Sequence, residues 1–154
     1  MELYLVQHGA SSEAKDPERS LTDEGRRTVR RVAEHLAAVG LALDRIEHSY
    51  KLRARQTADI LAAQLHPANG TVQVSGLAPN DDVEPTSARL NQETRAIMLV
   101  GHLPHLSRLV SRLFSRQADQ TVVQFQMGSV VKLDRDAAGH WALCWMFTPE
   151  LLPR

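Results

Sequence analysis

Two short stretches of the chain, Leu3–Val6 and Ala96–Val100, are apolar at every position. A strand with one face in water alternates apolar and polar residues, whereas a strand buried on both faces is continuously apolar. We therefore expect both stretches to be buried strands of a parallel sheet. Sheets of this kind are covered by helices on both faces, so these two stretches constrain the fold class more than any other feature.

Segments with helical periodicity lie between and after these strands. Thr22 is suited to cap a helix whose first turn is acidic, and Gly40 is suited to end it. Its apolar face has the i, i+3, i+4, i+7 spacing, at Val29, Val32, Ala33 and Leu36. Further helices are predicted over Leu52–Leu65, around Thr86–Asn91 and over Leu103–Phe114. Short strands are predicted at Arg45–Ser49 and Val72–Val74.

The last part of the chain has a different pattern. Residues 129–147 contain two strand-like runs separated by a turn with Gly139, which predicts a β-hairpin. The alternation of strands and helices before it predicts a mostly parallel sheet with helices on both faces. We expect an α/β three-layer sandwich whose C-terminal hairpin adds an antiparallel edge, formed by one domain over residues 1–154.

Composition excludes little. The 154 residues contain 18 Lys and Arg and 18 Asp and Glu, so net charge argues neither for nor against a nucleic-acid partner, and none is expected. No apolar stretch approaches the length of a membrane span, and no signal peptide is recognisable at the N-terminus. We expect a cytoplasmic protein with no membrane partner. Cys144, the one cysteine, lies in an apolar stretch and is predicted to be a buried core thiol.

Histidines follow both of the buried strands. His8 comes after the first strand and His102 after the second, so both are expected at the carboxyl edge of the sheet, where α/β proteins bind ligands. Arg53 and Arg55 begin a helix that follows a strand, which places them at the same edge. A guanidinium binds two oxygens of a phosphate at once. Together these residues favour a site for a phosphate dianion.

Six motifs of the chain, taken in order, resemble the histidine phosphatase superfamily, whose members include phosphoglycerate mutase-like enzymes. They are QHG, RSLTDEG, LRARQTA, GLAPNDD, GHLPHL and GSVVKLD. The short chain is similar to the SixA-type phosphohistidine phosphatase branch of that superfamily. The resemblance implies that His8 is the nucleophile, that Arg53 binds the phosphoryl group and that His102 is the second histidine of the pocket. Gly9 is expected to bind substrate beside them, whereas Arg55 is interpreted as a solvated helix residue.

The chain departs from the family at one position, because most relatives have arginine immediately before the nucleophile and this chain has Gln7. The glutamine amide can donate to a phosphate, but it brings no charge. A charged hydrogen bond contributes about 1.5–3 kcal/mol, so losing one made only in the transition state slows a reaction roughly ten- to a hundred-fold. Arg19 could partly compensate near the pocket, or it could be an exposed loop residue.

The resemblance implies no cofactor and no metal. His102 and His105 are spaced i, i+3, but no carboxylate or third histidine accompanies them. Many relatives carry a glutamate as general acid in a loop where this chain offers only Asp81 or Asp82, and turn formation explains both equally well. A phosphoimidazole protonated on its far nitrogen leaves as neutral imidazole, so it needs an acid less than an alkoxide does.

The predicted site has no lid. Only residues 10–21 separate Gly9 from the helix cap, whereas larger relatives insert segments that close over a small substrate. The leading hypothesis is therefore a metal-independent phosphatase that acts on phosphohistidine of a partner protein. A phosphatase of a small phosphorylated metabolite is the first alternative. A phosphate- or phosphoprotein-binding module that Gln7 has left catalytically weak is the second.

Overall fold

The computed structural model describes residues 1–13, 15–115 and 120–153. In these residues six strands form one sheet in the order β3-β2-β4-β1-β5-β6. The strands are β1 Glu2–Gln7, β2 Arg45–His48, β3 Thr71–Gln73, β4 Ile97–Gly101, β5 Val130–Arg135 and β6 Trp141–Phe147. The first four are mutually parallel, β5 runs antiparallel to β1, and β6 runs antiparallel to β5. The α/β fold and its antiparallel C-terminal hairpin are as predicted.

Helices cover both faces of the sheet. They are α1 Asp23–Ala38, α2 Leu52–Leu65, α3 Val83–Leu90 and α4 His105–Ser115. Alternate residues of the central strands face opposite layers: Tyr4 and Val6 pack in the core with α1 and α2. Leu3 and Leu5 pack in the core with α3 and α4. Each core strand is therefore buried on both sides, which is why the sequence shows no alternation there.

The predicted signals of α1 and α2 are confirmed. Thr22 caps α1, with its side-chain oxygen accepting from the Gly25 N–H at 3.0 Å. All four residues of the predicted apolar face of α1 are buried. Gly25 also has to be glycine, since a methyl group there would collide with the carbonyl oxygen of Ala10. Close packing of this helix start against residue 10 fixes the loop that follows β1.

The start of α4 differs from the prediction. The helix begins at His105 and not at Leu103, because residues 103 and 104 form a turn. The His102 carbonyl nevertheless accepts from the Leu106 N–H at 2.9 Å. His102 therefore precedes α4 by a short turn and does not itself open the helix.

The prediction for Cys144 is wrong, because the thiol is exposed. β5 and β6 pair in regular register except between Lys132 and Leu133, which face Trp145 and Leu143. Cys144 is the extra residue of this β-bulge on the edge strand, so strict alternation of inward and outward side chains fails there. Among the described residues, no helix combines the length and the hydropathy that a membrane span needs.

Candidate active site

Strand register brings the two predicted histidines together. β1 and β4 are paired so that Gln7 lies opposite Gly101, and the next residue in each chain segment is a histidine. The His8 N–H donates to the Gly101 carbonyl at 3.1 Å, which extends the ladder by one step. The rings of His8 and His102 consequently lie with their centroids 5.0 Å apart. Both side chains are buried, with 8% and 1% of the residue surface exposed.

The hydrogen bonds of His8 determine which nitrogen is free to react. Its Nδ1 lies 2.7 Å from the Gly9 carbonyl oxygen, which is an acceptor, so Nδ1 carries the proton. Burial lowers the pKa of His8 to about 4, and the charges of Arg53 and Arg19 act in the same direction. The imidazole is therefore neutral at neutral pH, and its Nε2 carries a lone pair and no proton.

Arg53 points at that lone pair from the first turn of α2. Its Nε donates to His8 Nε2 at 3.4 Å, and the residue is only 7% exposed. Burial and the charge of Arg19 both lower its pKa. Among the residues that the structure describes, no carboxylate pairs with this guanidinium. A buried guanidinium without an anion is unfavourable, so the site is arranged to receive one.

His102 is held from the neighbouring strand. Its Nε2 lies 2.5 Å from the hydroxyl of Ser49, the residue that follows β2. Burial lowers the pKa of His102 to about 3, and the charges of His8, Arg53 and Lys51 contribute. His102 Nδ1 is buried and has no hydrogen-bond partner within the described chain. A second neutral imidazole thus stands next to the first.

Both backbone groups of Gly9 form hydrogen bonds within the protein. Its N–H donates to Thr57 Oγ1 at 3.0 Å, and its carbonyl accepts from His8, so neither backbone group is free for a phosphate. A side chain at this position would collide with Val29, whose Cγ2 lies 2.6 Å from the place that a β-carbon would take. The glycine therefore orients the His8 ring, and direct binding of substrate by Gly9 stays a prediction.

Gln7 is buried at the end of β1, directly before His8. Its backbone is fully used, because the N–H donates to Ser129 and the carbonyl accepts from Gly128. Its side-chain Oε1 is buried without a hydrogen-bond partner in the described part of the chain. Gln7 thus supplies an amide and no charge, as its residue type requires.

Arg19 combines the two interpretations that the sequence leaves open. The residue is exposed and has a left-handed backbone, with φ of 49°. Its charge nevertheless reaches the site, since it lowers the pKa values of both His8 and Arg53. Arg19 is a loop residue at the rim of the site. Arg55, two residues after Arg53 and therefore on a different face of α2, is exposed as predicted.

The two candidate acids are occupied in local structure. Asp81 accepts from the Ala78 N–H at 2.9 Å, and Asp82 caps α3 by accepting from the Glu84 N–H at 3.0 Å. Both contacts are those of turn and cap residues. His105, the first residue of α4, is completely buried, and its pKa is lowered chiefly by that burial.

Three residues of this edge are absent from the site that the sequence predicts. The pattern places Ser49 only in a strand and Thr57 only on the inward face of a helix, yet they hold His102 and Gly9. His48, at the end of β2, places its Nδ1 2.8 Å from the Ser49 carbonyl. The available signal is that β2, like β1 and β4, ends in or next to a histidine.

The assembled edge can bind and transfer a phosphoryl group. It offers a bare imidazole nitrogen, a guanidinium without a counter-ion among the described residues and a second buried imidazole within one small volume. Cationic and neutral donors arranged in advance stabilise the charge of a transferring phosphoryl group. The site is built from ends of three parallel strands and the start of one helix.

Comparison with known proteins agrees with this site. The model of the histidine phosphatase superfamily (branch 1) matches residues 3–76. An uncharacterised protein of Picosynechococcus sp. is 40% identical over 115 residues, which cover 69% of this chain and 68% of that protein. Phosphohistidine phosphatase SixA of Escherichia coli strain K12 is 26% identical over 155 residues, with 97% of this chain and 94% of that one covered.

Solved structures extend the similarity to three dimensions. The structure of the protein histidine phosphatase SixA complexed with tungstate matches with a TM-score of 0.85 and 25% identity over 97% of each chain. The chain belongs to the histidine phosphatase superfamily, on its SixA-type branch. It is accordingly a phosphatase.

Proposed function

We propose that this phosphatase removes the phosphoryl group from phosphohistidine on a partner protein, with His8 as the nucleophile and without a metal. One observation carries the proposal: Arg53, buried and without a carboxylate partner in the described chain, donates to the bare Nε2 of a neutral histidine. A phosphoryl group is the anion that would both neutralise the guanidinium and accept attack from that nitrogen.

The reaction proceeds in two displacements. The Nε2 lone pair of His8 attacks phosphorus in line, and the bond from phosphorus to the substrate nitrogen breaks with its electron pair going to the leaving imidazole. Water then attacks phosphorus, the bond to His8 Nε2 breaks, and the proton of that water passes to solvent. Arg53 and His102 stabilise the charge on the equatorial oxygens in both steps. Gly9 keeps Nδ1 protonated and thereby Nε2 nucleophilic.

The engagement of both candidate acids in local structure favours a leaving group that needs no proton from the enzyme. Asp81 and Asp82 are engaged in a turn and a helix cap. An alkoxide requires a proton as it departs, whereas a phosphoimidazole already protonated on its far nitrogen departs neutral. A phosphorus–nitrogen bond therefore suits this site better than a phosphate monoester does.

The rim of the site favours a protein substrate. Exposed apolar side chains adjoin three of its residues: Tyr50 follows Ser49, Leu103 follows His102, and Met127 precedes Gly128, whose N–H donates to the carbonyls of residues 7 and 8. An open groove of about 480 Å³ adjoins it, lined by residues that include Tyr50 and Arg55. Exposed apolar groups around a polar site are typical of protein contact surfaces. Two SixA relatives are named as phosphatases of phosphohistidine or protein histidine.

The test measures phosphate release from a phosphocarrier protein that has been phosphorylated on histidine with phosphoramidate. Wild type is compared with His8→Ala, and p-nitrophenyl phosphate serves as a small monoester. We expect sustained release from the carrier by wild type only, and slower hydrolysis of the monoester. A preference for the monoester would contradict the assignment of a protein substrate. Binding of the phosphorylated carrier without release of phosphate would instead support the alternative of a binding module with weak catalysis because of Gln7.

The contribution of the rim is measured separately with Tyr50→Ala. We expect this variant to lower kcat/KM for the phosphorylated carrier and to leave the hydrolysis of p-nitrophenyl phosphate unchanged. The matched control is Val39→Ala, because Val39 is equally exposed but lies at the end of α1, away from the site. Equal losses on both substrates would show that Tyr50 does not contact the partner.

A further inference from the structure

Ser49 makes two polar contacts through its hydroxyl. The oxygen lies 2.5 Å from His102 Nε2, and it accepts from the backbone N–H of Lys51 at 3.3 Å. The residue is completely buried at the end of β2, the strand next to β4 in the sheet. Its backbone N–H donates to Val100 at 3.3 Å, so the main chain holds the hydroxyl at a fixed place beside the histidine.

These contacts determine where the proton of His102 lies. A neutral imidazole has one N–H, and a hydroxyl has one proton to donate. If Nε2 carried the proton, the Ser49 oxygen would accept twice, from Nε2 and from Lys51, and its own proton would have no acceptor among the described residues. That arrangement leaves two groups without a partner in the described chain, the Ser49 hydroxyl proton and the Nδ1 lone pair, whereas only the Nδ1–H lacks one if Ser49 donates to Nε2. The second arrangement is favoured, and it leaves the proton of His102 on Nδ1.

We propose that Ser49 is a positioning residue which fixes the tautomer of His102, so that the buried Nδ1–H donates to a phosphoryl oxygen. Nδ1 is the nitrogen of His102 without a hydrogen-bond partner in the described chain. A buried donor without a partner is unfavourable, and a substrate oxygen would satisfy it. The inference rests on the proposed function for the identity of the substrate, but the tautomer itself is a property of the resting protein.

A parallel is found at the nucleophile. The Gly9 carbonyl fixes one tautomer of His8 by accepting from Nδ1, and the Ser49 hydroxyl acts on the opposite nitrogen of His102 by donating to Nε2. His8 is thereby left with a lone pair facing the substrate, and His102 with a proton. One ring is prepared to attack phosphorus and the other to bind its oxygens. The hydrogen bond at one ring nitrogen thus selects the role of the other.

The test begins with the tautomer. Nitrogen-15 NMR of the resting enzyme at neutral pH, with the His102 signals assigned by a His102→Asn variant, is expected to show a protonated Nδ1 and a bare Nε2. Ser49→Ala is expected to shift the proton towards Nε2. Ser87→Ala is the matched control, since it removes another buried serine hydroxyl, in α3, and is expected to leave the His102 signals unchanged.

The second readout is kinetic. Ser49→Ala is expected to lower kcat about ten- to a hundred-fold, the consequence of one misplaced hydrogen bond in the transition state, with a change in KM below about threefold. Ser49→Thr keeps the hydroxyl and is expected to restore most of the rate. Thermal unfolding of each variant separates loss of fold from loss of positioning.

The outcomes are distinct. A resting His102 protonated on Nε2, or signals that Ser49→Ala does not move, would overturn the proposal. So would a Ser49→Ala variant that keeps its fold and the full wild-type rate. Failure of the proposed function would appear differently, as a wild-type enzyme that releases no phosphate while the NMR signals still show the Nδ1–H tautomer.

Discussion

The two ends of the central strands carry charge in opposite ways. At the amino end, charged side chains of β2, α3 and the adjoining loops form a cluster of ion pairs, which we call the paired cluster. Its members are Asp44, Arg45, Glu47, Arg89, Glu93 and Arg95. Every cation there has a carboxylate partner. At the carboxyl end, Arg53 and two buried histidines share a small volume without any carboxylate among the described residues.

The ion-paired cluster at the amino end stabilises the fold, whereas the charge at the carboxyl end, unpaired within the described chain, indicates a binding site. In the paired cluster Glu47 accepts from Arg45 and Arg89, each at 2.7 Å, and the hydrogen bonds from Arg95 hold the pKa of Glu93 well below its usual range. Because the charges of this cluster compensate one another, it does not require a bound ion. At the other end burial is the main influence and lowers the pKa of both histidines. A charge that the fold leaves uncompensated indicates where an anion binds.

The largest expected effect is on the paired cluster. Glu47→Gln removes the carboxylate shared by Arg45 and Arg89 at a position where the side chain is 2% exposed. Breaking a buried pair by removing one partner costs about 3–5 kcal/mol, measured here as the free energy of unfolding in urea. Glu84→Gln is the control, because its pair with Arg112 is solvent-exposed, with 54% of the Glu84 side chain accessible.

We expect Glu84→Gln to cost less than about 1 kcal/mol and Glu47→Gln to keep its activity per folded molecule. If Glu47→Gln lost activity while its stability was unchanged, the contrast between the two ends would be wrong.

For Arg53 we expect the reverse, a loss of activity without a loss of stability. Arg53→Met is expected to lower the rate of phosphate release about a hundred- to a thousand-fold, the usual cost of one lost transition-state donor. It removes an uncompensated buried charge, so the free energy of unfolding should not fall. Steady-state kinetics and urea unfolding of the same preparation check both parts. A variant that unfolds more easily than wild type would show that Arg53 has a stabilising partner after all.

A smaller effect is expected from restoring charge next to the nucleophile. Gln7→Arg adds a guanidinium at the position where most relatives have one, and we expect turnover to rise about ten- to a hundred-fold. Gln7→Met is the control, since it keeps the size of the side chain but has no donor. A rate that does not rise in Gln7→Arg would mean that Arg19 or the Gln7 amide already supplies what the arginine offers.

The pH dependence provides a further measure of the contrast. In the proposed mechanism His8 attacks only when neutral, and its pKa of about 4 lies below the ordinary value of 6.5. We therefore expect kcat/KM, corrected for ionisation of the substrate, to stay level as the pH falls through 6.5 and to decline only near pH 4. A decline centred on the ordinary histidine pKa would contradict a buried, neutral nucleophile.

Stability should respond to the same groups with a definite sign. Below pH 6.5 the unfolded chain takes up protons at His8 and His102 before the folded chain does, so the free energy of unfolding falls between pH 6.5 and about pH 4. His8→Asn removes one of these groups and is expected to lose less stability over that interval. Equal slopes for wild type and variant would show that His8 titrates alike in both states.

Much of this fold follows from local patterns. The continuous apolar runs, the Thr22 cap and the glycine turn of the hairpin each predict their elements. They do so because the burial of a strand and the hydrogen bonds of a helix end or turn depend mainly on residues that are close in sequence. The juxtaposition of His8 and His102 follows as well, since both come one residue after paired strands. These features can be predicted from the spacing of apolar residues along the chain and from the rule that ligands bind at the carboxyl edge of a parallel sheet.

Other features depend on contacts that no local pattern contains. The bulge at Cys144 arises from the register of two strands, and the occupation of the Gly9 N–H depends on Thr57 in another element. Ser49 acquires its role only because β2 and β4 are neighbours in the sheet. The sequence therefore indicates the groups that we propose to contact the phosphate, whereas the groups that orient them become visible only in three dimensions.

The most direct test of His8 as the nucleophile is to trap the phosphoryl group on the enzyme. Wild type and His8→Ala are mixed with the histidine-phosphorylated carrier, quenched in alkali within the first turnover, and examined by mass spectrometry of the intact and digested protein. We expect one phosphoryl group on wild type, located on His8, and none on the variant. Turnover by wild type with an unlabelled His8, or a phosphoryl group elsewhere in the chain, would contradict the proposed mechanism.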